Sequence, residues 1–262
     1  MCRGGFLFYI NGMKKETSWG DEYVIGHYQK SVILPNLLRL VEPRKNEVVL
    51  DLGCGPGFFS GEIAKKGTKV MGIDSSKTLI ARAQKDYPGI NFRAANAERM
   101  EFFADRSIDK IFSVLAIQNM DSLHKVFGEC ARLLKPAGKL TLVLNHPAFR
   151  VPKRSSWGWD DATKTQYRRV DGYLSESKEK ISMHPSTSSG QVPEPGEYTI
   201  SFHRPLQVYF KNLRNNGFAV TTLEEWESNK KSEPGPRSKA EDLARKEIPL
   251  FLLLEATKNI SH

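Results

Sequence analysis

Apolar residues follow two alternating periods along this chain. Short runs at Val48–Leu50, Lys69–Ile73, Ile90–Ala94, Ile108–Ile117 and Lys139–Leu144 are bounded by Gly, Pro, Asp or Asn, and each predicts a buried strand. Between them the period changes. Phe59 and Ile63, then Ile80, Ala83 and Tyr87, then Leu123, Val126, Phe127, Cys130, Leu133 and Leu134 recur at spacings of three and four, which predicts amphipathic helices. Pro88-Gly89 ends the second, Asp121 is expected to cap the third, and Pro136 with Gly138 stops it. Strand and helix in alternation predict an α/β fold with a parallel sheet. Ahead of it, residues 17–41 read as one or two helices, with Pro35 starting or bending a segment. Behind it, Pro205 opens a helix marked by Leu206, Tyr209, Phe210 and Leu213. A sixth strand at Phe218–Leu223, a short helix around Leu243 and a seventh strand at Leu250–Ala256 follow.

Residues 145–204 break this rhythm and are too long and irregular for an ordinary connection. Trp157, Trp159, Tyr167 and Tyr173 lie there among Arg150, Arg154, Arg168 and Arg169. Ser186–Gly190, with prolines nearby, reads as a mobile tip. A long aromatic insertion leaving the carboxyl end of a strand predicts a lid or substrate wall. The competing reading is a small accessory subdomain.

Candidate chemistry concentrates at Glu47-Val-Val-Leu-Asp51-Leu-Gly53-Cys54-Gly55-Pro-Gly57. Strand, glycine turn and helix open a nucleotide-binding sheet, where glycine allows positive φ and close ligand approach. A dinucleotide site uses G-x-G-x-x-G for its pyrophosphate. Here the third glycine comes one position early, and Asp51 adds a charge that suits an amine rather than a phosphate. The turn closely resembles the first motif of class I S-adenosylmethionine (SAM)-dependent methyltransferases. Gly72-Ile73-Asp74-Ser75-Ser76 resembles the second, and Glu129–Leu140 is similar to the family's turn into its fifth strand. The likeness is most specific over residues 47–145 and looser over 205–257, and it points to the small-molecule branch called methyltransferase type 11. Residues 146–201 match nothing with a nameable substrate.

That resemblance implies a Rossmann-like, seven-stranded, mostly parallel sheet of order 3-2-1-4-5-7-6, with strand 7 antiparallel, helices on both faces and a lid insertion after strand 5. It implies a single domain over 1–262: a helical cap at 1–42, a SAM-binding core at 43–144, the insertion at 145–204, and the rest of the sheet at 205–262. The implied cofactor is SAM, released as S-adenosylhomocysteine (SAH). Its expected contacts are Asp51, Gly53, Cys54, Gly55 and Gly57, with Asp74 and Ser75 at the ribose and Asn96 and Ala97 at the adenine. Ala116 and Ile117 are expected at the end of the fourth strand. Asn96 stands where the family often carries an acid; its side-chain carbonyl still accepts a hydrogen bond. Glu98 reads as surface. Tyr28 either lines the site or buries against the sheet edge.

Composition narrows the rest. The 262 residues carry a net charge of +9, spread along the chain, so nucleic-acid binding is allowed but not favoured over a small-molecule substrate. No apolar run is long enough to span a membrane. Residues 6–10 are too short for a secretory signal, and residues 1–12 read as a loose extension with Met13 an alternative start. Cys2, Cys54 and Cys130 have no metal or disulfide spacing, which predicts no metal site and a reducing cytoplasm. Oligomeric state has no signature here. For catalysis, His146 and His203 flank the insertion and are candidate general bases, needed only if the acceptor loses a proton. Arg150 and Arg204 are candidates for a substrate carboxylate or phosphate, with Trp157 and Trp159 as walls. Methyl transfer to a small molecule leads; RNA methylation and SAM binding without catalysis are the alternatives.

Overall fold

The computed structural model describes residues 26–182 and 198–259. Expectations that fall on residues 1–25, on the Ser186–Gly190 tip and on 260–262 lie outside them. A wide helical turn, Gln29–Ile33, leads into α1 (Leu34–Val41), with Pro35 in the first turn of α1. The repeating unit then runs β1 (Val48–Leu52), α2 (Phe58–Ala64), β2 (Lys69–Asp74), α3 (Lys77–Asp86), β3 (Asn91–Ala94), β4 (Ile108–Val114), α4 (Leu123–Leu133) and β5 (Leu134–Asn145). Next come four insertion strands, β6 (Ser155–Asp160), β7 (Thr165–Val170), β8 (Ser177–Ser182) and β9 (Tyr198–His203). The chain closes with α5 (Leu206–Asn215), β10 (Phe218–Trp226), α6 (Ser238–Glu247) and β11 (Phe251–Lys258).

The main sheet has order β10-β11-β5-β4-β1-β2-β3. β11 is antiparallel to both of its neighbours and the rest pair in parallel. This is the 3-2-1-4-5-7-6 order that the motif resemblance implies. Alternation along each strand feeds two cores. Leu50, Leu52, Leu142, Leu144, Leu252 and Leu254 face α4 and α5, while Val49, Val143, Phe251 and Leu253 face α1 and α2. Each such aliphatic burial contributes about 1.5–3 kcal/mol. No helix of the described residues is long and apolar enough to cross a membrane.

Several local expectations shift. β4 ends at Val114, and a single helical turn, Ile117–Asn119, follows it. Ser122 rather than Asp121 caps α4, its hydroxyl accepting from the Lys125 N–H. α4 stops at Leu133, ahead of Pro136, because the chain passes directly into β5. Glu98 is not a free surface acid. Its carboxylate accepts from the Ser122 N–H at 3.0 Å and pairs with Lys125 at 3.5 Å, pinning the start of α4.

The insertion is more regular than its sequence suggests. β6 and β7 form one antiparallel pair, and β8 and β9 form another. The first hairpin turns on Asp160, whose Oδ1 accepts from the N–H groups of Ala162 and Thr163. α6 packs against β7, so this hairpin leans on the C-terminal segment.

Candidate active site

The glycine turn sits at the carboxyl end of β1. Gly53, Gly55 and Gly57 have φ of 78°, 52° and 85°. Their reasons differ. A Cβ on Gly53 would lie 2.4 Å from the Ala116 Cβ, and one on Gly57 would lie 2.8 Å from the Phe92 ring. Packing therefore demands these two glycines. A Cβ on Gly55 would meet nothing within 4 Å, so Gly55 borders open space. The N–H groups of Gly53 and Cys54 are spent on the Ile73 carbonyl at 2.8 and 2.9 Å, which fixes the turn to β2.

Asp74 ends β2 beside that open face. Its Oδ2 accepts from the Gly55 N–H at 3.0 Å and its Oδ1 from the Ser76 N–H at 2.9 Å. Burial raises its pKa, opposed by these backbone donors and that of the exposed Ser75. Ser76, not Asp74, caps α3 through the Leu79 N–H. Each Asp74 oxygen keeps a further lone pair for a ligand hydroxyl.

The other turn residues face inward. Asp51 is 1% exposed, and its Oδ2 accepts from the Ser60 hydroxyl at 2.6 Å. Burial, reinforced by the Asp74 charge, pushes its pKa up to about 7 against that hydrogen bond. Asp51 Oδ2 is thus tied to α2 through Ser60. Cys54 packs with Ile80, Ala83 and Phe92, and burial pushes its thiol up, so only its backbone is available to a ligand. Ala97 and Ile117 belong to the larger core. Ala116 lies against Gly53. Asn96 is exposed, with its Oδ1 accepting from the Glu98 N–H at 2.9 Å. Tyr28 packs edge-on against Phe251, with ring centroids 5.9 Å apart, and its hydroxyl meets Ser228 at 2.9 Å.

A cavity of about 280 Å³ opens where β4 and β5 end and β9 returns. Gln118, Asn145 and Arg150 line it from the β4 and β5 exits, and Ser201, His203 and Arg204 from the returning strand. The two ends of the insertion therefore border one space. Gln118 Oε1 accepts from the Asn145 N–H at 3.2 Å and ties the β4 and β5 exits together. Arg204 is 5% exposed and donates from Nη2 to the carbonyls of Met120 and Asp121 at 3.0 and 2.5 Å, anchoring the returning strand to the β4 exit. Tyr209 of α5 also lines the cavity, its phenol pushed up to about 12 by burial against the pull of Arg204. Sequence periodicity reads Tyr209 only as a core face.

The two histidines separate. His203 is 3% exposed, and its Nε2 lies 2.7 Å from the Tyr173 carbonyl. A carbonyl only accepts, so Nε2 carries the proton and Nδ1 keeps its lone pair. His146 is 1% exposed and is not among the cavity residues. Its Nε2 meets the Glu225 carboxylate at 2.7 Å, and its Nδ1 accepts from the Ala148 N–H at 3.2 Å. Both His146 nitrogens are therefore engaged within the chain. The tryptophans also fall away from the cavity. Trp159 lies beneath the Arg237 guanidinium at 4.5 Å and donates to Asp161, while Trp157 lies 5.2 Å from Arg168. They brace the first hairpin because α6 and its preceding loop pack there.

The "Methyltransferase domain" family model matches residues 50–142, from within β1 almost to the end of β5. Residues 50–142 are thus similar to a methyltransferase domain, and the whole sheet has the fold of solved SAM-dependent methyltransferases. Its fold is similar to a SAM-dependent methyltransferase from Mesorhizobium loti, at TM-score 0.68 and 24% identity over 88% of this chain and 99% of that one. A solved structure from Listeria monocytogenes is 26% identical with TM-score 0.64, covering 86% of this chain and 97% of that one. The demethylmenaquinone methyltransferase of Chlorobaculum parvum is 34% identical over 115 residues, 44% of this chain and 47% of that protein. The matched stretch spans about half or less of the curated relatives' length. The residues present fit the cofactor that this methyltransferase fold implies. The open face at Gly55 is a cradle that a side chain would fill, and Asp74 supplies an acceptor for a diol beside it.

Proposed function

We propose that this methyltransferase transfers the methyl group of SAM to a small-molecule acceptor held in the cavity between the two ends of the insertion. The observation that carries this reading is the pairing of an open Gly55 with the Asp74 carboxylate at the turn. SAM supplies an electrophilic methyl on its sulfonium, so the protein's work is alignment and exclusion of water. The Gly55 backbone and Asp74 hold the nucleoside end, with Asp74 accepting from ribose hydroxyls. The described parts of the cap, the core and the insertion act as one unit, with the insertion as lid. Where the acceptor is a hydroxyl or amine that loses a proton, His203 accepts it at Nδ1. Arg150 and Arg204 hold the acceptor. Relatives named for demethylmenaquinone and malonyl-acyl-carrier-protein methylation support a small-molecule or carrier-bound acceptor over RNA.

Calorimetry with SAH and with NAD tests the cofactor. SAH should bind and NAD should not; the reverse would overturn the assignment. Radiolabelled methyl transfer from SAM into a metabolite extract, with and without nuclease, tests the acceptor class. Label lost on nuclease treatment would point to RNA instead. SAH binding with no labelled product would leave a SAM-binding protein without catalysis.

A further inference from the structure

The charges around the cavity do not balance. Its described lining holds Arg150, Lys153, Arg168, His203 and Arg204 and no Asp or Glu. Two of the cations have acids behind them: Lys153 pairs with Glu179 at 2.9 Å, and Arg204 Nε lies 3.9 Å from Glu176. The other two guanidinium groups have none. Among the described residues Arg168 donates only to neutral groups, the Phe149 carbonyl at 2.9 Å and the Ser155 hydroxyl at 2.8 Å. The Arg150 guanidinium makes no hydrogen bond or ion pair among the described residues, although the residue is half-buried. Arg204 Nη1 is fully buried with no hydrogen-bond partner, while Nη2 is held by its two carbonyls.

A half-buried guanidinium without a partner costs free energy, and a second one beside it costs more. Burial and the Arg168 charge both push Arg150 below its usual pKa. Nothing in the packing of the fold calls for this arrangement, because α4, α5 and the sheet close without it. A counter-ion that arrives with the acceptor accounts for it. A guanidinium fork pairs with the two oxygens of a carboxylate or phosphate, and the buried site strengthens that pair.

Resting on the reading of this cavity as the acceptor site, we infer that the acceptor carries an anionic group, a carboxylate or a phosphate, which Arg150 and Arg168 hold, with Arg204 Nη1 as a third donor. A cavity of about 280 Å³ limits the part that enters to a small molecule or one end of a larger one.

The test uses the whole chain, with and without SAH, titrated by calorimetry at constant ionic strength. The probes are benzoate, phenyl phosphate and neutral benzamide. At least one anion should bind ten-fold or more tightly than benzamide, and the better of the two identifies carboxylate or phosphate as the handle. Arg150→Gln should weaken that anion at least ten-fold, leave SAH affinity unchanged and melt no earlier than wild type, because it relieves repulsion. Arg150→Lys should fall between. Arg169→Gln, at an exposed arginine paired with Asp171, should change nothing. Equal affinity for benzamide and both anions, or full anion binding by Arg150→Gln, or equal losses in Arg150→Gln and Arg169→Gln, would overturn the inference. Failure of the wild type to bind SAH would sink the cofactor reading alone, since the titrations without SAH still decide the cavity.

Discussion

The glycine turn and the insertion cavity hold their charges in opposite ways. At the turn, Asp51 and Asp74 are wrapped in donors from the chain itself: the Ser60 hydroxyl and the N–H groups of Gly55 and Ser76. At the cavity, Arg150 has no such partner and Arg168 has only neutral ones. The first region is complete before any ligand arrives, which suits a cofactor that is the same in every turnover. The second is left incomplete, which suits a partner that differs from one relative to the next. Preorganisation lowers the cost of binding the common ligand, and an unsatisfied site gives selectivity for the particular one.

The sharpest way to break this comparison is to fill the turn. Gly55→Asn places a side chain into the open face, and asparagine tolerates the positive φ. SAH affinity should fall more than about 100-fold, about 3 kcal/mol, with little change in melting temperature. Gly57→Ala should do the reverse. Its Cβ meets the Phe92 ring at 2.8 Å, so it should lose about 1–3 kcal/mol of stability by overpacking. Calorimetry and thermal melts on both variants decide it. Equal behaviour of the two would mean that the glycines share one role.

Next in size is the split between the histidines. His203→Ala should lower kcat by about 100-fold for an acceptor that loses a proton, within the usual range for general-base catalysis. SAH affinity should hold. His146→Ala should lower the melting temperature, through a buried ring and a lost Glu225 contact, while kcat changes only a few-fold. Single-turnover rates across pH separate the two, because only removal of a base flattens the profile.

How much of this was legible in the sequence depended on distance along the chain. The turn and Asp74 rest on local motifs, the strands on alternation within short segments, and the strand order on what the family resemblance of those motifs implied. The inward orientation of Asp51 does not, because its partner Ser60 lies one helix turn into α2. The role of Glu98 was equally hidden, since it caps a helix more than twenty residues away. The strands of the insertion were marked weakly, by Ser-Trp-Gly-Trp-Asp and Thr-Gln-Tyr-Arg-Arg-Val on either side of an Asp turn. The cationic cavity left no trace in segment charge. Its arginines come from the β5 exit, β7 and the end of β9, while acids such as Glu179 and Asp171 offset the total from outside.

Of comparable or smaller size is the pH response of the turn. Folding raises the Asp51 pKa from 3.8 to about 7. Its stabilising contribution is therefore complete below about pH 4 and is lost as pH rises through about 7. Between pH 5 and 8 the wild type should lose about 2–3 kcal/mol relative to Asp51→Asn, at 1.36 kcal/mol per pKa unit. The amide keeps an acceptor for Ser60 and cannot ionise. Urea unfolding of both proteins at the two pH values reads the difference directly. Parallel pH dependence in the two would place the ionisation elsewhere.

The smallest effect concerns how the insertion is held. One hairpin is tied to the sheet exits through Arg204, and the other leans on the C-terminal segment through the Arg237 guanidinium over Trp159. An exposed cation–π contact contributes about 0.5–1 kcal/mol. Arg237→Ala should therefore cost no more than that in overall stability. Its local effect should be larger than its global one, because β6 and β7 pair only with each other and depend on α6 for lateral support. Tryptophan fluorescence should change as the Trp159 ring is uncovered, and proteolysis near the Asp160 turn should quicken. SAH affinity should stay at the wild-type value, since no part of this contact touches the glycine turn. Acceptor turnover should fall a few-fold, because Arg168 on β7 reaches the cavity from the same hairpin. If Arg237→Ala weakens SAH as much as it slows turnover, then the turn and the insertion are coupled, and their contrast in charge does not reflect separate tasks.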